Sequence, residues 1–177
     1  MADIRTAFPE DSDAIKALCL ASFAEEERQL VASLAGQLLA EKTMPESFTL
    51  VAETEGQITG AIGFSPVSIN TDSSWQGYIL APLAVSPDYQ KQGIGSTLVN
   101  KGVEILTDRG INTLFVYGDP AYYGRFGFDV ELAHLFNPPY PLTLPEGWQA
   151  LTIGKDAIPG EHCTLSCVKS LADPVLW

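Results

Sequence analysis

Residues 78–118 restrict the fold more than any other part of the chain. An apolar run, YILAPLAV (78–85), is followed by a polar stretch, SPDYQKQ (86–92), and then by Gly93-Ile94-Gly95. Beyond the glycines, Leu98, Val99, Val103 and Leu106 recur at helical spacing, and Gly110 is placed to stop that helix. A second strand-like run, INTLFVYG (111–118), comes next. Two strands joined by one helix pair in parallel through a crossover, so the fold has to be built around a βαβ unit. Pro82 adds a second restriction. A run this apolar reads as a central strand, yet proline has no N–H to give to a ladder and belongs at an edge or a bulge. A bulge at Pro82 would part this strand from its neighbour and leave backbone groups near Leu83, Ala84 and Val85 for another partner.

The rest of the chain supplies the layers around this unit. IRTAF (4–8) alternates like a short first strand, and Asp11 or Ser12 caps a helix carrying Ile15, Leu18, Cys19 and Phe23. A second helix is predicted in ERQLVASLAGQLL (27–39), ended by MPES (44–47). Residues 48–69 read as a hairpin turning at Glu55-Gly56, and 75–85 as the fourth strand. Asp119-Pro120 reads as the cap and first residue of a short helix in AYYGRF (121–126). After Phe128 comes a proline-rich loop, PPYPLTLPEG (138–147). WQALTI (148–153) and CTLSCVK (163–169) are predicted as closing strands. There is no repeat and no linker, which predicts one domain over 1–177, with a motif-bearing core at about 78–130 and a less legible 131–177.

Composition narrows the function. The chain is 46% hydrophobic and 18% charged, an ordinary globular balance. Its net charge of −12, with ten basic residues, argues against a nucleic-acid partner, because that binding rests on lysine and arginine contacts to phosphates. No apolar run reaches membrane-spanning length, and MADIRTAFPEDSDA lacks the order of a secretory signal, so a cytoplasmic protein is expected. Cys163 and Cys167 would share one face of a strand beside His162. Two thiols and one imidazole are an incomplete ligand set, however, and buried free thiols with no metal are expected. An exposed Trp177 end and the tail strands could pair with another copy, so a homodimer is left open.

Three explanations compete for the glycine pair. One is a tight turn that needs positive φ. A dinucleotide fingerprint is excluded, because Leu98 stands where the third glycine belongs and seven residues, Ser86 to Gln92, separate strand from glycines. The third is an anion cradle. Gln90, Lys91 and Gln92 offer side-chain donors, and Gly93, Ile94, Gly95 and Ser96 offer main-chain N–H groups at a helix N-terminus. Pyrophosphate at that cradle and pantetheine amides along Leu83, Ala84 and Val85 would describe coenzyme A.

LAVSPDYQKQGIGSTLV (83–99) resembles the acyl-CoA-binding motif of the GCN5-related N-acetyltransferases (GNAT), a Q/R-x-x-G-x-G/A loop after a bulged fourth strand. Gln90, Gly93 and Gly95 fill its fixed positions. YYGRFGF (122–128) resembles that family's second landmark, a tyrosine five residues before the phenylalanine of a Gly-Phe pair, which matches Tyr123 with Gly127-Phe128. The resemblance covers roughly residues 78–130. It implies an α/β GNAT fold: a mixed, mostly antiparallel twisted sheet split between strands 4 and 5, with helices on both faces.

It also implies an acetyl-CoA-dependent N-acetyltransferase that moves an acetyl group directly to an amine of a small molecule or peptide. In that reading Tyr123 protonates the leaving thiolate, and an N–H at Leu83 or Ala84 supports the thioester oxyanion. Tyr122 would be a wall of the site. Where many members carry an asparagine seven residues before the tyrosine, this chain has Val116. No carboxylate stands out as the base. Glu25, Glu26 and Glu27 fall where the family's first two helices flank the acceptor cleft and could attract a cationic amine, though a solvated helix start explains them as well. Glu53 is another possibility, and a water chain could serve with no dedicated side chain. The rival expectation is a non-catalytic acyl-CoA-binding regulatory module, and a weaker one is a hydroxyl acceptor or a longer acyl group.

Overall fold

The structure is a computed structural model that describes residues 1–155, 159 and 161–177. The strands are β1 (Asp3–Thr6), β2 (Phe48–Thr54), β3 (Gln57–Ile69), β4 (Gly77–Val85), β5 (Thr113–Tyr117), β6 (Phe136–Asn137), β7 (Trp148–Thr152) and β8 (Cys163–Ser166). The helices are α1 (Ser12–Ser22), α2 (Arg28–Ala40), α3 (Ile94–Asp108), α4 (Pro120–Tyr123) and α5 (Val130–Ala133). Strand order is β1-β2-β3-β4-β5-β7, with β8 pairing to β3 and to β6. The predicted crossover is present: β4 and β5 are parallel, in register from Gly77↔Thr113 to Leu80↔Val116. The chain forms two compact units, one of residues Met1–Phe64 and Ala81–Gly102, the other of Ser65–Leu80 and Val103–Trp177.

In the first unit, β2 and β3 form the predicted hairpin. Glu55 and Gly56 turn it with φ of 51° and 79°, a left-handed pair that matches the twist of the strands. β1 lies antiparallel on β2. Helices α1 and α2 set Ile15, Leu18, Cys19, Ala32 and Ala35 against Val51, Ala61 and Ala84, so the spacing read from the sequence is the buried face. Burial pushes the Cys19 thiol up to about 11, which leaves it an inert apolar filler. Helix α3 packs on the opposite side of β3, since Gly60 alternates with Ala61. A Cβ on Gly60 would press on Ile94 and Leu98 at 2.8 and 2.9 Å, and one on Gly102 would collide with the Phe64 ring. Two absent methyls therefore set how closely helix and sheet approach.

The second unit is organised around β5, with β4 parallel on one side and β7 antiparallel on the other, the latter paired from Thr113↔Thr152 to Tyr117↔Trp148. Phe115 stacks on Trp148 at 5.2 Å and meets Phe136 edge-on at 4.8 Å, while Trp75 tilts against both phenylalanines. Buried aromatic pairs of this kind add about 1 kcal/mol each beyond their area.

Four expectations change here. The fourth strand starts at Gly77, with Trp75 outside it as a core ring. β8 ends at Ser166, so Cys167 lies beyond the strand and does not share its face with buried Cys163. Trp177 is 6% exposed, its indole N–H donating to the Leu171 carbonyl, so that end is packed rather than open. Finally, α5 and β6 lie in the tail where no element is predicted.

Candidate active site

The glycine loop belongs to the first unit. β4 carries Pro82 inside it, with a cis Ala81–Pro82 peptide, and its ladder to β5 ends at Leu80↔Val116. Gly63 on β3 faces this point: a Cβ there would collide with the Ala81 carbonyl oxygen. Leu83, Ala84 and Val85 finish the strand, with Ala84 buried and the other two half-buried. The chain leaves the sheet at Ser86, whose N–H donates to the Thr59 carbonyl at 2.8 Å. A 3-10 turn over Pro87–Tyr89 leads to Gln90.

The loop then shapes itself. The Gln90 amide donates to the Val85 carbonyl at 3.1 Å, and the Gln92 amide to the Asp88 carbonyl at 3.3 Å. Both side chains expected as ligand donors thus brace the loop with one of their N–H groups. Lys91, at φ 61°, and Gly93, at φ 84°, are left-handed, and nothing lies within 4 Å of where a Gly93 Cβ would sit. Gly95 is different, being helical in the first turn of α3. Positive φ therefore explains Gly93 and leaves Gly95 unexplained as a turn residue. The main-chain bond from Thr97 N–H to the Gly93 carbonyl, 2.9 Å, opens the helix, so the N–H groups of Ile94, Gly95 and Ser96 precede its ladder. Ile94 itself is buried and anchors the turn. A loop exposed at Gly93 and half-buried at Gly95 and Ser96, with three donors ahead of the helical ladder, fits an anion.

Tyr123 belongs to the second unit. Asp119 caps α4 as expected, its carboxylate accepting from Ala121 N–H at 2.9 Å, and Pro120 is the first helical residue. The Tyr123 ring meets Tyr122 edge-on at 4.9 Å and Phe128 at 5.7 Å. Beneath it lies Gly118, where a Cβ would come within 2.7 Å of the ring. The ring is held on three sides, while its hydroxyl has no hydrogen-bond partner among the described residues. Burial first, then Tyr122 and Asp119, push the phenol above its ordinary value, so it keeps its proton. Phe128 is fixed by the turn at Gly127, φ 93°, which explains the glycine of that pair. Tyr122 takes Arg125 over its face, the guanidinium carbon 4.5 Å from the ring centre.

Among the carboxylates weighed as a base, Glu53 is taken. Its Oε2 accepts from Arg5 Nε at 3.0 Å, and Arg5 also grips Asp11 with two bonds. Glu25 is largely exposed and lies 4.0 Å from Arg28. Three supporting residues escape the sequence reading: Gly63, Gly118 and Gln149, whose Nε2 donates to the Gly118 carbonyl at 3.1 Å. The glycines carry no signal apart from their position at close approaches, and a lone glutamine within a strand carries none.

The family model described as Acetyltransferase (GNAT) family matches residues 12–128. The uncharacterized N-acetyltransferase YhbS of Escherichia coli K12 is 34% identical over 159 residues, which is 89% of this chain and 90% of that protein. The crystal structure of Escherichia coli YhbS in complex with CoA superposes with a TM-score of 0.83 at 31% identity, covering 97% of this chain and 92% of that one. A GNAT family acetyltransferase from Brucella melitensis, in complex with acetyl-CoA, gives a TM-score of 0.76 at 29% identity, covering 97% and 98%.

Proposed function

The chain belongs to the acetyltransferase (GNAT) family, and from that premise we propose how its residues carry out the reaction. It is an acetyl-CoA-dependent N-acetyltransferase. Among the described residues no helix is long and apolar enough to cross a membrane. The proposal takes residues 1–177 as one catalytic domain and an amine of a small molecule or peptide as the acceptor.

Main-chain N–H groups of Gly93, Ile94, Gly95 and Ser96 hold the pyrophosphate of the cosubstrate, with Lys91 beside them. Gln90 and Gln92 keep the loop in that shape and retain a second amide N–H each. Leu83, Ala84 and Val85 take the pantetheine arm as an added strand would be taken. The observation that supports this assignment is Gly95: helical, needing no special φ, and set where donors precede the ladder of α3.

Acetyl-CoA supplies a thioester carbonyl whose sulfur is a good leaving group. The acceptor nitrogen must be neutral to form the new C–N bond, and its spare proton leaves to solvent, since Glu53 is held by Arg5. An N–H at Leu83 or Ala84 supports the carbonyl oxygen as charge grows on it. Tyr123 donates its phenolic proton to the sulfur as the C–S bond breaks, and the tyrosinate is reprotonated from the solvent that took up the amine's proton. Its raised pKa makes Tyr123 a donor that stays protonated across the working pH range rather than a strong acid. The free hydroxyl on an immobilised ring supports this role over local packing.

Turnover of acetyl-CoA over a panel of amines, alongside calorimetry with CoA, tests the whole reading. Tyr123→Phe is expected to lower kcat by about a hundredfold with an unchanged Kd for CoA. Full kcat in that variant removes the donor role. Tight CoA binding with no turnover on any amine would instead favour a regulatory acyl-CoA-binding module.

A further inference from the structure

Gln149 is a costly residue for its place. It sits on β7 opposite Val116, is 1% exposed, and its Oε1 is buried with no hydrogen-bond partner. An apolar side chain would fill the same volume without stranding its own oxygen. What the glutamine does supply is a pair of donors. Nε2 donates to the Gly118 carbonyl at 3.1 Å and to the Gly147 carbonyl at 3.3 Å. The opposite amide orientation would set oxygen against two carbonyl oxygens, so the chemistry fixes the assignment.

Gly118 is therefore clamped through both of its flanking peptides. The N–H of the Tyr117–Gly118 peptide donates to the Gly147 carbonyl at 2.9 Å, and the C=O of the Gly118–Asp119 peptide accepts from Gln149. This is the residue on which the Tyr123 ring rests, close enough that a Cβ on Gly118 would stand 2.7 Å from Cε2 and 3.2 Å from Cδ2 of that ring. Rotation of the Gly118–Asp119 peptide would alter the floor beneath the tyrosine and the entry into α4, whose first turn is closed by Tyr123 N–H to the Asp119 carbonyl at 3.0 Å.

We propose that Gln149 is a positioning residue for Tyr123, acting through the Gly118 carbonyl, and that its unpaired oxygen is the cost of that clamp. The inference rests on the reading of Tyr123 as proton donor. The contact chain Gln149–Gly118–Tyr123 stands on its own geometry.

Gln149→Met removes the donors and the stranded acceptor together. The variant is expected to keep its thermal midpoint within a few degrees, since relief at Oε1 offsets the lost donor to the Gly118 carbonyl, to keep the KM for acetyl-CoA, and to lose about tenfold or more in kcat. Fluorine NMR of the full chain made with fluorotyrosine supplies a readout that plain loss of structure would not give. The Tyr123 resonance, assigned by its disappearance in Tyr123→Phe, is expected to move in Gln149→Met. In a Tyr123→Phe background, Gln149→Met is expected to cost nothing further. A resonance that stays in place, or an equal loss of kcat in the Tyr123→Phe background, overturns the proposal. If Tyr123→Phe keeps full kcat while Gln149→Met still shifts the resonance, the positioning stands and the donor role falls. Should Gln149→Met not fold, Gly118→Ala tests the same contact from the half-buried turn, with the same resonance shift and kcat loss expected.

Discussion

The two glycines of the loop look alike in the sequence and do different work. Gly93 is left-handed, a backbone state that costs an alanine about 1–2 kcal/mol, although nothing nearby obstructs its side chain. Gly95 is helical, where alanine is the better residue by about 1 kcal/mol. The pair of variants separates shape from ligand contact. Gly93→Ala should lose both stability and CoA affinity. Gly95→Ala should melt higher than the parent yet bind CoA more weakly, since in the proposed cradle the pyrophosphate approaches the N–H groups there. Thermal melts and calorimetry on both decide the matter, and unaltered CoA affinity in Gly95→Ala would remove it from the cradle.

At the scale of elements, the entry into α1 is secured by charge. Arg5 on β1 donates to Glu53 and twice to Asp11, and Asp11 also accepts from Phe8 N–H at 2.7 Å. Hydrogen bonds from Arg5, chiefly, hold the Asp11 carboxyl below its ordinary range, against the opposing effect of its burial. A carboxylate whose pKa falls on folding stabilises the protein above its unfolded value of about 4, and the benefit fades as pH drops through the folded value. With Arg5 about a third exposed, solvent screening limits the contribution to about 1 kcal/mol. Asp11→Asn should therefore destabilise by about that much at pH 7, and the gap to the parent should narrow as pH falls below the unfolded carboxyl range in urea melts. A gap that persists unchanged in acid would assign the effect to packing.

The same scale shows what the sequence could reveal. α1, α2, the β2–β3 hairpin, the β4–α3–β5 crossover and the Asp119-Pro120 cap were legible because each has a local cause: apolar period, turn glycine or capping side chain. β6 and α5 were not, being two and four residues long and held by pairing with β8 and by the Asp129 cap. In the site, Gly93, Gly95 and Tyr123 stood out by motif. Gln149 did not, because its value depends on a carbonyl thirty-one residues away in the chain.

For the molecule as a whole, a net charge of −12 means that the average field repels an anionic cosubstrate. In the proposed reading, attraction comes from a short distance, from the α3 donors and Lys91, which is the range that salt screens least. The aromatic core of the second unit has a separate consequence. All three tryptophans of the chain, Trp75, Trp148 and Trp177, are buried in that unit, and the first unit has none. Indole emission is thus a reporter of one half of the protein, while far-ultraviolet dichroism sums over both. If residues 1–177 melt as one cooperative domain, the two signals should share a single midpoint on heating. An emission change that leads or trails the dichroism would reveal two melting bodies inside a chain whose intrinsic fluorophores watch only one of them.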